Sequence, residues 1–510
     1  MIADLLKPYQ REAAERIVRA GSMLLADQPG LGKTFTSLGA LELSGVLTAG
    51  SVSIVIAPLI TCDTAWLPTA QSYMPEVNIV DGFSGTRLRR GQRIRDSLRD
   101  DVPNLIVTNH DSVGISKKNV SLIPDIITGT YVAIIIDESH AVLPMTYDYM
   151  NEGTQFWRGL NVINTDDTLL RIAVSGTPDR GKFHYRLGTW RFLMPELFMP
   201  PRVLYRDWID KNFYNYEVTV PVRKRDGSVF ETKIQKIGHM LDRDRWAQLD
   251  SVKMVRRTKL EVAKELPEKQ YVDVDVPFTD KLLRSYSAFS HEFMLEDDGT
   301  VKNALVYALR AAQFATCEWE STSESTTEPV VGGESPKRDW ILEWLRERNL
   351  LGDADAAPDG KVVIASQYSK VLYWLKDELA KEGVHAEVLC GDVPQHKRSE
   401  IQRSFQDEHS SLRIVLLSAG LGVGIDLDRA DDLILIDIPR NPDIQEQVED
   451  RIHRVSRMHN VTIWRLRSRG TIDMTISAKN DEVFKSTRAM LDGVRAVDFD
   501  RKIMDRIGVV

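Results

Sequence analysis

The sequence predicts an α/β protein in which two parallel sheets follow one another along the chain. Two separate series of short, β-rich apolar runs indicate the strands, and helical patterns lie between these runs. The runs lack strict alternation of apolar and polar residues, which is expected when both faces of a parallel sheet are buried. The length of 510 residues leaves room for both sheets and for further segments between them.

The first series contains the strands of the first predicted sheet, and a polar motif follows nearly every strand. The predicted strands are Met23–Ala26, Ser53–Ala57, Leu105–Val107, Val132–Ile136 and Ile172–Val174. Ligands of open α/β sheets bind beyond the carboxyl ends of the strands. We therefore expect one edge of the sheet to gather the motifs Gly30–Thr34, Pro58, Thr108–His110, Asp137–His140 and Ser175–Pro178.

The second series predicts a second sheet in the later part of the chain. Its strands are Val362–Ala365, Ala386–Leu389, Ile414–Leu417, Leu433–Ile436 and Thr462–Arg465. A helix is expected over 369–381, because Leu375 and Leu379 lie on one apolar face. Two α/β series in one chain indicate two lobes.

The expected domain boundaries follow from the position of the two series. The divisions are a first lobe at 1–180, an insertion that returns to that lobe at 181–275, a helical segment with a disordered linker at 276–340, and a second lobe at 341–510. Within the insertion, 217–234 is expected to form a hairpin around Asp226-Gly227, which is a strong turn signal. The linker is assigned to 321–335, because this stretch is mostly Ser, Thr, Glu and Gly.

The composition is that of an ordinary globular protein, with 43% hydrophobic and 27% charged residues. The formal charge of −8 excludes a global basic field, so any nucleic-acid contact must use local patches. Cys62, Cys317 and Cys390 are too scattered for a disulfide framework or a metal site, which favours a reducing compartment. Without a signal peptide or an apolar run of membrane-spanning length, we expect a cytoplasmic location and no membrane partner.

A candidate phosphate-binding loop lies between the first strand and the helix that follows it. Gly30 and Gly32 allow backbone N–H groups to approach a polyphosphate, and the start of the helix adds positive dipole. Lys33 is predicted to contact the phosphates, and Thr34 is predicted to hold Mg²⁺. Asp27 stands where the common pattern has a further glycine, so the loop by itself is also consistent with an ordinary glycine-rich turn.

Asp137 and Glu138 directly follow an apolar strand, where a merely buried pair of carboxylates would be costly. In the functional interpretation, Asp137 binds Mg²⁺ through a water molecule, and Glu138 activates the attacking water. A solvated turn at the end of a strand is the alternative, and the phosphate loop upstream makes it much less favoured. The amide of Gln10 is a candidate for reading the adenine edge, although a surface glutamine is the more common case.

A helix with basic residues is predicted after the strand Leu433–Ile436. This helix is expected to carry Gln447, Arg451, His453 and Arg454. Gln447, Arg451 and Arg454 share a face, and a guanidinium group on that face suits the charge of a γ-phosphate. A solvated basic face is an equally favoured alternative in the absence of context.

The order of these motifs resembles that of the superfamily 2 helicases and, within them, the Swi/Snf-type ATPases. Residues 30–34, 137–140, 175–178 and 447–454 are similar to their motifs I, II, III and VI. Further similarity lies in Arg256-Arg257-Thr258-Lys259, Leu266-Pro267-Glu268-Lys269, Ser366-Gln367, Gly391-Asp392, Arg398 and Gly470-Thr471-Ile472. The match extends from about Leu6 to Ile476 and is highly specific as an ordered set.

Three departures concern the branch within this superfamily. The glycine-rich loop Ser418–Leu427 resembles motif V, but it is one residue shorter than the usual Swi/Snf form and has Asp426 where Asn is usual. Arg440 stands where Trp is frequent, and Arg457 stands where Gln is frequent. Motif V and Arg457 are closer to helicases that part strands, whereas the longer similar segments favour motors that track along duplexes.

The resemblance implies two tandem RecA-like domains, with a helical and hairpin insertion between the sheet cores, and a motor that uses ATP and Mg²⁺. The implied catalytic residues are Glu138, Lys33, Arg451 and Arg454. The implied ATP contacts are Gln10, Asp27, Gly30, Gly32, Lys33, Thr34, Asp137, Gly424 and Asp426. Thr34 and Asp137 are the implied metal ligands.

The implied partner is duplex or branched DNA, bound largely without regard to sequence. The implied contacts are Pro58, Thr108, Asn109, His110, Ser366, Gln367 and Ser418. A single-strand DNA or RNA helicase is one alternative, and an ATP-gated DNA clamp that does not hydrolyse ATP is another. A minimal motor of this kind is expected in a bacterium or a virus, and a viral source would make the location the host cytoplasm.

Overall fold

Two parallel sheets organise the chain, as the sequence predicts. The computed structural model describes residues 2–115, 131–144, 154–178, 186–195, 213–223, 229–240, 250–262, 269–286, 309, 311–321, 327–330, 333–350, 360–421, 425–453 and 460–491. The chain divides into two compact units, Met1–Lys264 and Glu265–Val510. The prediction of two tandem α/β domains of the RecA-like type is therefore confirmed.

The first unit contains a seven-stranded sheet in which every described pairing is parallel. Its strands are β1 (Ser22–Leu25), β2 (Val52–Ala57), β3 (Asn78–Asp81), β4 (Asn104–Asn109), β5 (Tyr131–Ile136), β6 (Leu170–Val174) and, after the hairpin described below, β9 (Met254–Val255). Their spatial order is β3-β4-β2-β5-β6-β1-β9. All five strands predicted for this sheet are present, and β3 and β9 are additional.

Helical segments connect these strands. They are Ile2–Leu5, Pro8–Ala20, Lys33–Leu43, Leu59–Thr61, Cys62–Trp66, Leu67–Tyr73, Arg87–Ser97, His110–Val113, Ser139–Val142, Gln155–Ile163, Arg186–Leu193 and Lys259–Val262. Local sequence sets the ends of the helix Pro8–Ala20: a proline occupies its first turn, and Gly21 follows it at φ 65°.

Both faces of the first sheet are buried, which explains why its strands read as continuous apolar runs. In β2, Ile54 and Ile56 belong to one hydrophobic cluster, whereas Val55 and Ala57 belong to another. Successive side chains of a strand point to opposite faces, so each face receives apolar residues from the same run.

The predicted hairpin is present and is longer than expected. Strands β7 (Phe213–Arg223) and β8 (Val229–Met240) pair in antiparallel fashion, with Arg223 opposite Val229. The two strands form a sheet of their own, separate from the seven-stranded sheet. The turn residues Asp226-Gly227 lie outside the described residues.

The second unit contains a six-stranded parallel sheet and a short antiparallel pair. The strands are β10 (Lys269–Val276), β11 (Trp319–Ser321), β12 (Thr327–Pro329), β13 (Val362–Ser366), β14 (Ala386–Leu389), β15 (Ile414–Ser418), β16 (Asp432–Leu435) and β17 (Val461–Ser468). The large sheet has the order β10-β17-β16-β13-β15-β14, and β11 pairs with β12. The helices are Pro336–Glu347, Ser369–Lys381, Gln395–Gln406, Pro442–Ile452 and Ile472–Leu491.

Strand β10 corrects the expected domain boundaries. The expected insertion that returns to the first lobe includes residues 269–275, but β10 pairs with β17 along its whole length in the second sheet. Ion pairs from Asp273 to Arg465 and from Asp275 to Arg467 reinforce that pairing. The return to the first lobe is made instead by β9, which pairs with β1.

The expected linker at 321–335 also differs from the structure. Residues 327–329 form β12 against β11, and the antiparallel pairing joins Glu328 to Glu320. Ser335 is buried, accepts a hydrogen bond from the Arg338 N–H and caps the helix Pro336–Glu347. Backbone pairing and a helix cap therefore order parts of a segment whose polar composition predicted disorder, while 322–326 and 331–332 lie outside the described residues.

In the part of the chain that the structure describes, no helix is both long enough and apolar enough to cross a membrane.

The three cysteines predict low thiol reactivity. Cys62, Cys317 and Cys390 are all free and buried, and burial raises the pKa of Cys62 and of Cys317 to about 12. At pH 8 these two thiols remain protonated, and the thiolate is the reactive form. We expect Ellman's reagent to label the native protein slowly and to label three thiols per chain rapidly in guanidinium chloride. Rapid labelling of all three in the native protein would contradict the burial.

Candidate functional site

The glycine-bearing loop between β1 and the helix Lys33–Leu43 adopts a conformation that requires glycine at two positions. Gly30 has φ 86° and Gly32 has φ 76°, which is the left-handed region that side chains rarely enter. A Cβ atom added to Gly32 would lie 2.5 Å from Nε2 of Gln10. The loop therefore brings its backbone and the N-terminal end of the helix close together, as a phosphate cradle requires.

Lys33 and Thr34 begin the helix and are half-buried. The Lys33 ammonium group donates a hydrogen bond to the Asp27 carbonyl oxygen at 3.0 Å, across the loop. Gly176 lies on the other side, where an added Cβ would be 2.8 Å from Cγ of Pro29 and 3.5 Å from Nζ of Lys33. The segment after β6 thus packs directly against the phosphate loop.

Asp27 is wholly buried and serves the loop itself. Its carboxylate accepts hydrogen bonds from the Arg257 guanidinium group, at 3.1 Å from Nε and 2.5 Å from Nη2. It also accepts one from the backbone N–H of Arg257 at 3.0 Å. Arg257 therefore occupies both carboxylate oxygens, which have no exposed surface, and the contact of Asp27 with ATP stays a prediction.

The segment around Arg257 fastens the phosphate loop through its backbone as well. Arg256 donates to the carbonyl oxygen of Ala26 at 3.1 Å, and the Gln28 N–H donates to the carbonyl of Arg257 at 3.0 Å. The N–H of Lys259 donates to the Gln28 side chain at 2.7 Å. The sequence indicated this segment only by resemblance, and its contact with a loop some 230 residues earlier had no local signal.

Gln10 joins the phosphate loop to the start of its own helix through the two ends of its amide group. Nε2 donates to the carbonyl of Leu31 at 3.1 Å, and Oε1 accepts from the N–H of Lys7 at 3.0 Å. The hydroxyl of Tyr9 also donates to Leu31, at 3.1 Å. Gln10 is 5% exposed, so in this conformation its amide supports the loop and is not directed at a base.

Asp137 follows β5 and is held by its neighbour Glu138 and by groups from two other segments. The indole Nε1 of Trp66 donates to Oδ2 of Asp137 at 2.8 Å, and the N–H of Glu138 donates to Oδ1 at 3.0 Å. Nε2 of His110 lies 2.9 Å from the Asp137 carbonyl oxygen. Asp137 is 9% exposed, so its carboxylate is oriented by hydrogen bonds while keeping some access to solvent.

Glu138 has an unusual backbone and belongs to a network of side chains. Its φ of 45° is in the left-handed region, a strained conformation for this residue type of the kind often found at functional sites. Oε2 of Glu138 lies 3.2 Å from Nδ1 of His140, which lies 2.8 Å from Oγ of Ser175. Ser175 also accepts from the N–H of Thr177 at 3.2 Å. The network joins the motif after β5 to the motif after β6.

The residues predicted to contact nucleic acid in the first unit differ in exposure. Thr108 is wholly buried and its hydroxyl donates to the carbonyl of Gly82 at 2.9 Å, and its contact with nucleic acid stays a prediction. Asn109 is 7% exposed and accepts from Arg90 at 3.1 Å. Pro58 and His110 are half-buried. Burial lowers the pKa of His110, although the nearby Asp137 acts in the opposite direction.

In the second unit, Ser366 and Gln367 are both held by the buried Asp437. The Ser366 hydroxyl donates to one carboxylate oxygen, and Nε2 of Gln367 donates to the other at 3.0 Å. Burial raises the pKa of Asp437, while the hydrogen bonds from Ser366 and Gln367 act in the opposite direction. Ser366 is 1% exposed, Gln367 is half-buried and Ser418 is 7% exposed, and the contact of these residues with nucleic acid stays a prediction.

The predicted basic helix is Pro442–Ile452, and it is shorter than expected. Arg451 is 5% exposed and donates from Nη2 to the carbonyl of Leu421, within the loop that resembles motif V. His453 follows the end of the helix, contrary to the prediction, and Arg454 and Gly424 lie outside the described residues. Asp426 is half-buried, and its carbonyl accepts from Gln406 at 2.9 Å.

Two family models match this chain, and together they cover most of its length. The model of the SNF2-related domain matches residues 9–320, and the model of the helicase conserved C-terminal domain matches 340–456. A Caenorhabditis elegans homologue of SWI/SNF-related matrix-associated actin-dependent regulator of chromatin subfamily A-like protein 1 is 26% identical over 477 residues, 92% of this chain and 60% of that protein. The ATP-dependent DNA helicase DDM1 of Arabidopsis thaliana is 25% identical over 501 residues, with the same two coverages.

A third relative is similar over a shorter region. Transcription termination factor 2 of Drosophila melanogaster is 35% identical over 139 residues, 27% of this chain and 13% of that protein. This chain thus spans 60% or less of the length of these three curated relatives. Among solved structures, the Sulfolobus solfataricus SWI2/SNF2 ATPase core in complex with dsDNA matches with a TM-score of 0.39 and 21% identity, covering 98% of this chain and 94% of that one.

Proposed function

Because the chain belongs to the SNF2-related domain family, we propose that it is an ATP-dependent motor that moves on duplex or branched DNA. The observation that carries this proposal is the meeting of the phosphate loop with the segments after β5 and β6. Gly176 packs on Pro29, and Ser175 bonds to the His140 that contacts Glu138. The phosphate loop and the carboxylates after β5 are the groups that one side of a site for hydrolysis of a nucleoside triphosphate needs.

ATP and Mg²⁺ are the proposed cofactors, and the residues at this edge fit them. Thr34 lies in the first turn of the helix after the phosphate loop. Asp137 directly follows β5, and a hydrogen bond from Trp66 orients its carboxylate. Hydroxyl and carboxylate oxygens are the ligands that Mg²⁺ prefers. When bound, Mg²⁺ would neutralise charge on the β- and γ-phosphates. Lys33 would bind the same phosphates, and Gly30 and Gly32 would leave room for their oxygens.

Glu138 is the proposed general base for the attacking water. Its side chain is 18% exposed, and its backbone is in the left-handed region. His140 and Ser175 hold the carboxylate in one orientation through the network described above. A base held in this orientation can accept a proton without first changing its conformation.

Arg451 and Arg454 are the proposed contributors of positive charge to the γ-phosphate. We expect Arg451→Ala to lower kcat by about 10³-fold while leaving the affinity for ATP within a few-fold, because the guanidinium group acts on charge that develops in the transition state. Steady-state kinetics and binding of a fluorescent nucleotide measure the two effects. Arg403→Ala, on the separate helix Gln395–Gln406, is the matched control. Unchanged kcat in Arg451→Ala would remove this residue from the proposed mechanism.

For DNA, we propose that Pro58, Asn109, His110, Gln367 and Ser418 lie near the phosphate backbone. Their positions at the carboxyl ends of parallel strands support this, since that edge is where α/β sheets bind ligands. Thr108 and Ser366 would then contribute indirectly, because their internal hydrogen bonds fix the strand ends that carry the more exposed residues. We also propose a cytoplasmic location, which the three buried free thiols support.

Displacement of a triplex-forming strand from duplex DNA tests movement directly. The proposed motor should release the third strand only with ATP and Mg²⁺, and the Glu138→Gln variant should not release it. Unwinding of a forked duplex, measured in parallel, addresses the alternative of a strand-separating helicase. Release without hydrolysis would favour the ATP-gated clamp, and unwinding of single-strand-tailed or RNA substrates without triplex release would favour the other alternative.

A further inference from the structure

Trp66 is a buried residue that the sequence did not single out, and its contact bears on the proposed chemistry. Its side chain is wholly buried, and its indole N–H lies 2.8 Å from Oδ2 of Asp137. A hydrogen bond to an ionised carboxylate is shorter and stronger than one between neutral groups. Oδ1 of the same carboxylate accepts only from the adjacent backbone among the bonds described here, at 3.0 Å. Trp66 therefore supplies the hydrogen bond from outside the motif that fixes the plane of this carboxylate.

The backbone around Trp66 has a rare geometry. Residues Cys62–Trp66 form a π-helical turn between the helical segments Leu59–Thr61 and Leu67–Tyr73. The N–H of Leu67 donates to the carbonyl of Cys62, five residues earlier, and Pro68 follows with no N–H to continue the regular pattern. Single π-helical turns inside α-helices occur frequently at functional sites.

This turn contacts the ends of three neighbouring strands. The Cys62 thiol lies 3.2 Å from the carbonyl of Thr108, near the end of β4, and 3.6 Å from the carbonyl of Ala57, at the end of β2. Trp66 reaches Asp137, directly after β5. The turn is thus anchored at one end to the sheet and holds the indole at the other, so the position of Trp66 is not set by a flexible loop.

We propose that Trp66 is a positioning residue for Mg²⁺-nucleotide binding, whose indole N–H orients the Asp137 carboxylate toward the metal. This inference rests on the proposed function, because it takes Asp137 as a ligand of Mg²⁺. Groups that orient a metal ligand commonly change metal affinity by 10–100-fold when they are removed. Trp66 itself touches neither the nucleotide nor the ion in this proposal.

The test removes the N–H and keeps an aromatic side chain at position 66. Trp66→Phe is compared with wild type for binding of a fluorescent ADP analogue as Mg²⁺ is titrated, in the absence of DNA. The Mg²⁺ concentration at half-maximal enhancement should rise about tenfold, with nucleotide affinity in EDTA unchanged. Trp464→Phe is the matched control, since its indole N–H also donates to a carboxylate, Oδ1 of Asp432 at 2.7 Å, in the other unit. That variant should keep the wild-type Mg²⁺ dependence.

An unchanged Mg²⁺ dependence in a folded Trp66→Phe protein would overturn the proposal, and so would an equal change in Trp464→Phe. If Trp66→Phe does not fold, incorporation of β-(3-benzothienyl)alanine at position 66 replaces the N–H by sulfur in a ring of nearly the same size. The same rise is then expected, and its absence counts against the proposal. Wild-type protein that shows no Mg²⁺-dependent nucleotide binding at all would instead defeat the proposed function.

Discussion

Glu138→Gln is expected to lower kcat for ATP hydrolysis by at least about 10²-fold and to leave ATP bound with nearly unchanged affinity. Glutamine keeps the size and the polar contacts of the side chain but cannot accept a proton. The phosphate loop and Asp137, which would hold the nucleotide and its metal, are not altered. Single-turnover hydrolysis and equilibrium binding of a fluorescent ATP analogue measure the two quantities separately.

Two further comparisons make the Glu138 result specific. Glu343→Gln, on the exposed face of the helix Pro336–Glu347, is the matched control and should retain wild-type turnover. Lys33→Ala should lose both hydrolysis and tight nucleotide binding, because it removes the cation of the phosphate loop. Near wild-type turnover in Glu138→Gln would show that another group activates the water.

Arg257→Met is expected to destabilise the first unit by about 3–5 kcal/mol and to abolish tight nucleotide binding. The substitution removes the partner of a wholly buried carboxylate, Asp27, and leaves an uncompensated charge inside the protein. It also removes the side chain that fixes the start of the phosphate loop. Urea unfolding gives the change in stability, and fluorescent nucleotide binding gives the change in affinity.

A double variant separates the charge from the packing. Asp27→Asn combined with Arg257→Met removes both members of the ion pair, so part of the lost stability should return. Arg99→Met, which breaks the exposed pair of Arg99 with Asp101, is the control and should change neither quantity measurably. Full nucleotide affinity in Arg257→Met would mean that the loop keeps its shape without this anchor.

The sequence predicted the strands whose two faces are both buried, because these leave continuous apolar runs. It did not predict β9, which has two residues, or β10, where Asp273 and Asp275 alternate with valines in the pattern of an edge strand. The alternation in β10 was a usable signal. The two-residue strand had none, since its place depends on pairing with β1, far earlier in the chain.

Local sequence identified the glycines of the candidate site, whereas the hydrogen-bond partners of its other polar residues come from distant parts of the chain. Gly30 and Gly32 were expected to let the backbone approach a polyphosphate, and both have the left-handed backbone that favours glycine. Asp27 and Gln10 are polar residues at the loop, and only the fold reveals that Asp27 hydrogen-bonds to Arg257 and Gln10 to the carbonyl of Leu31. The contact of Trp66 with Asp137 spans 71 residues and likewise has no local pattern.

The most direct test of the account is the rate of ATP hydrolysis with duplex DNA, branched DNA, single-stranded DNA and RNA, compared at one salt concentration. Duplex or branched DNA should stimulate hydrolysis at least as well as single strands, and RNA should stimulate it poorly. The stimulation should weaken as salt is raised, because contacts with the phosphate backbone dominate binding. Stimulation by RNA alone or by single strands alone, or a rate that no nucleic acid changes, would contradict the assignment as a motor on duplex DNA.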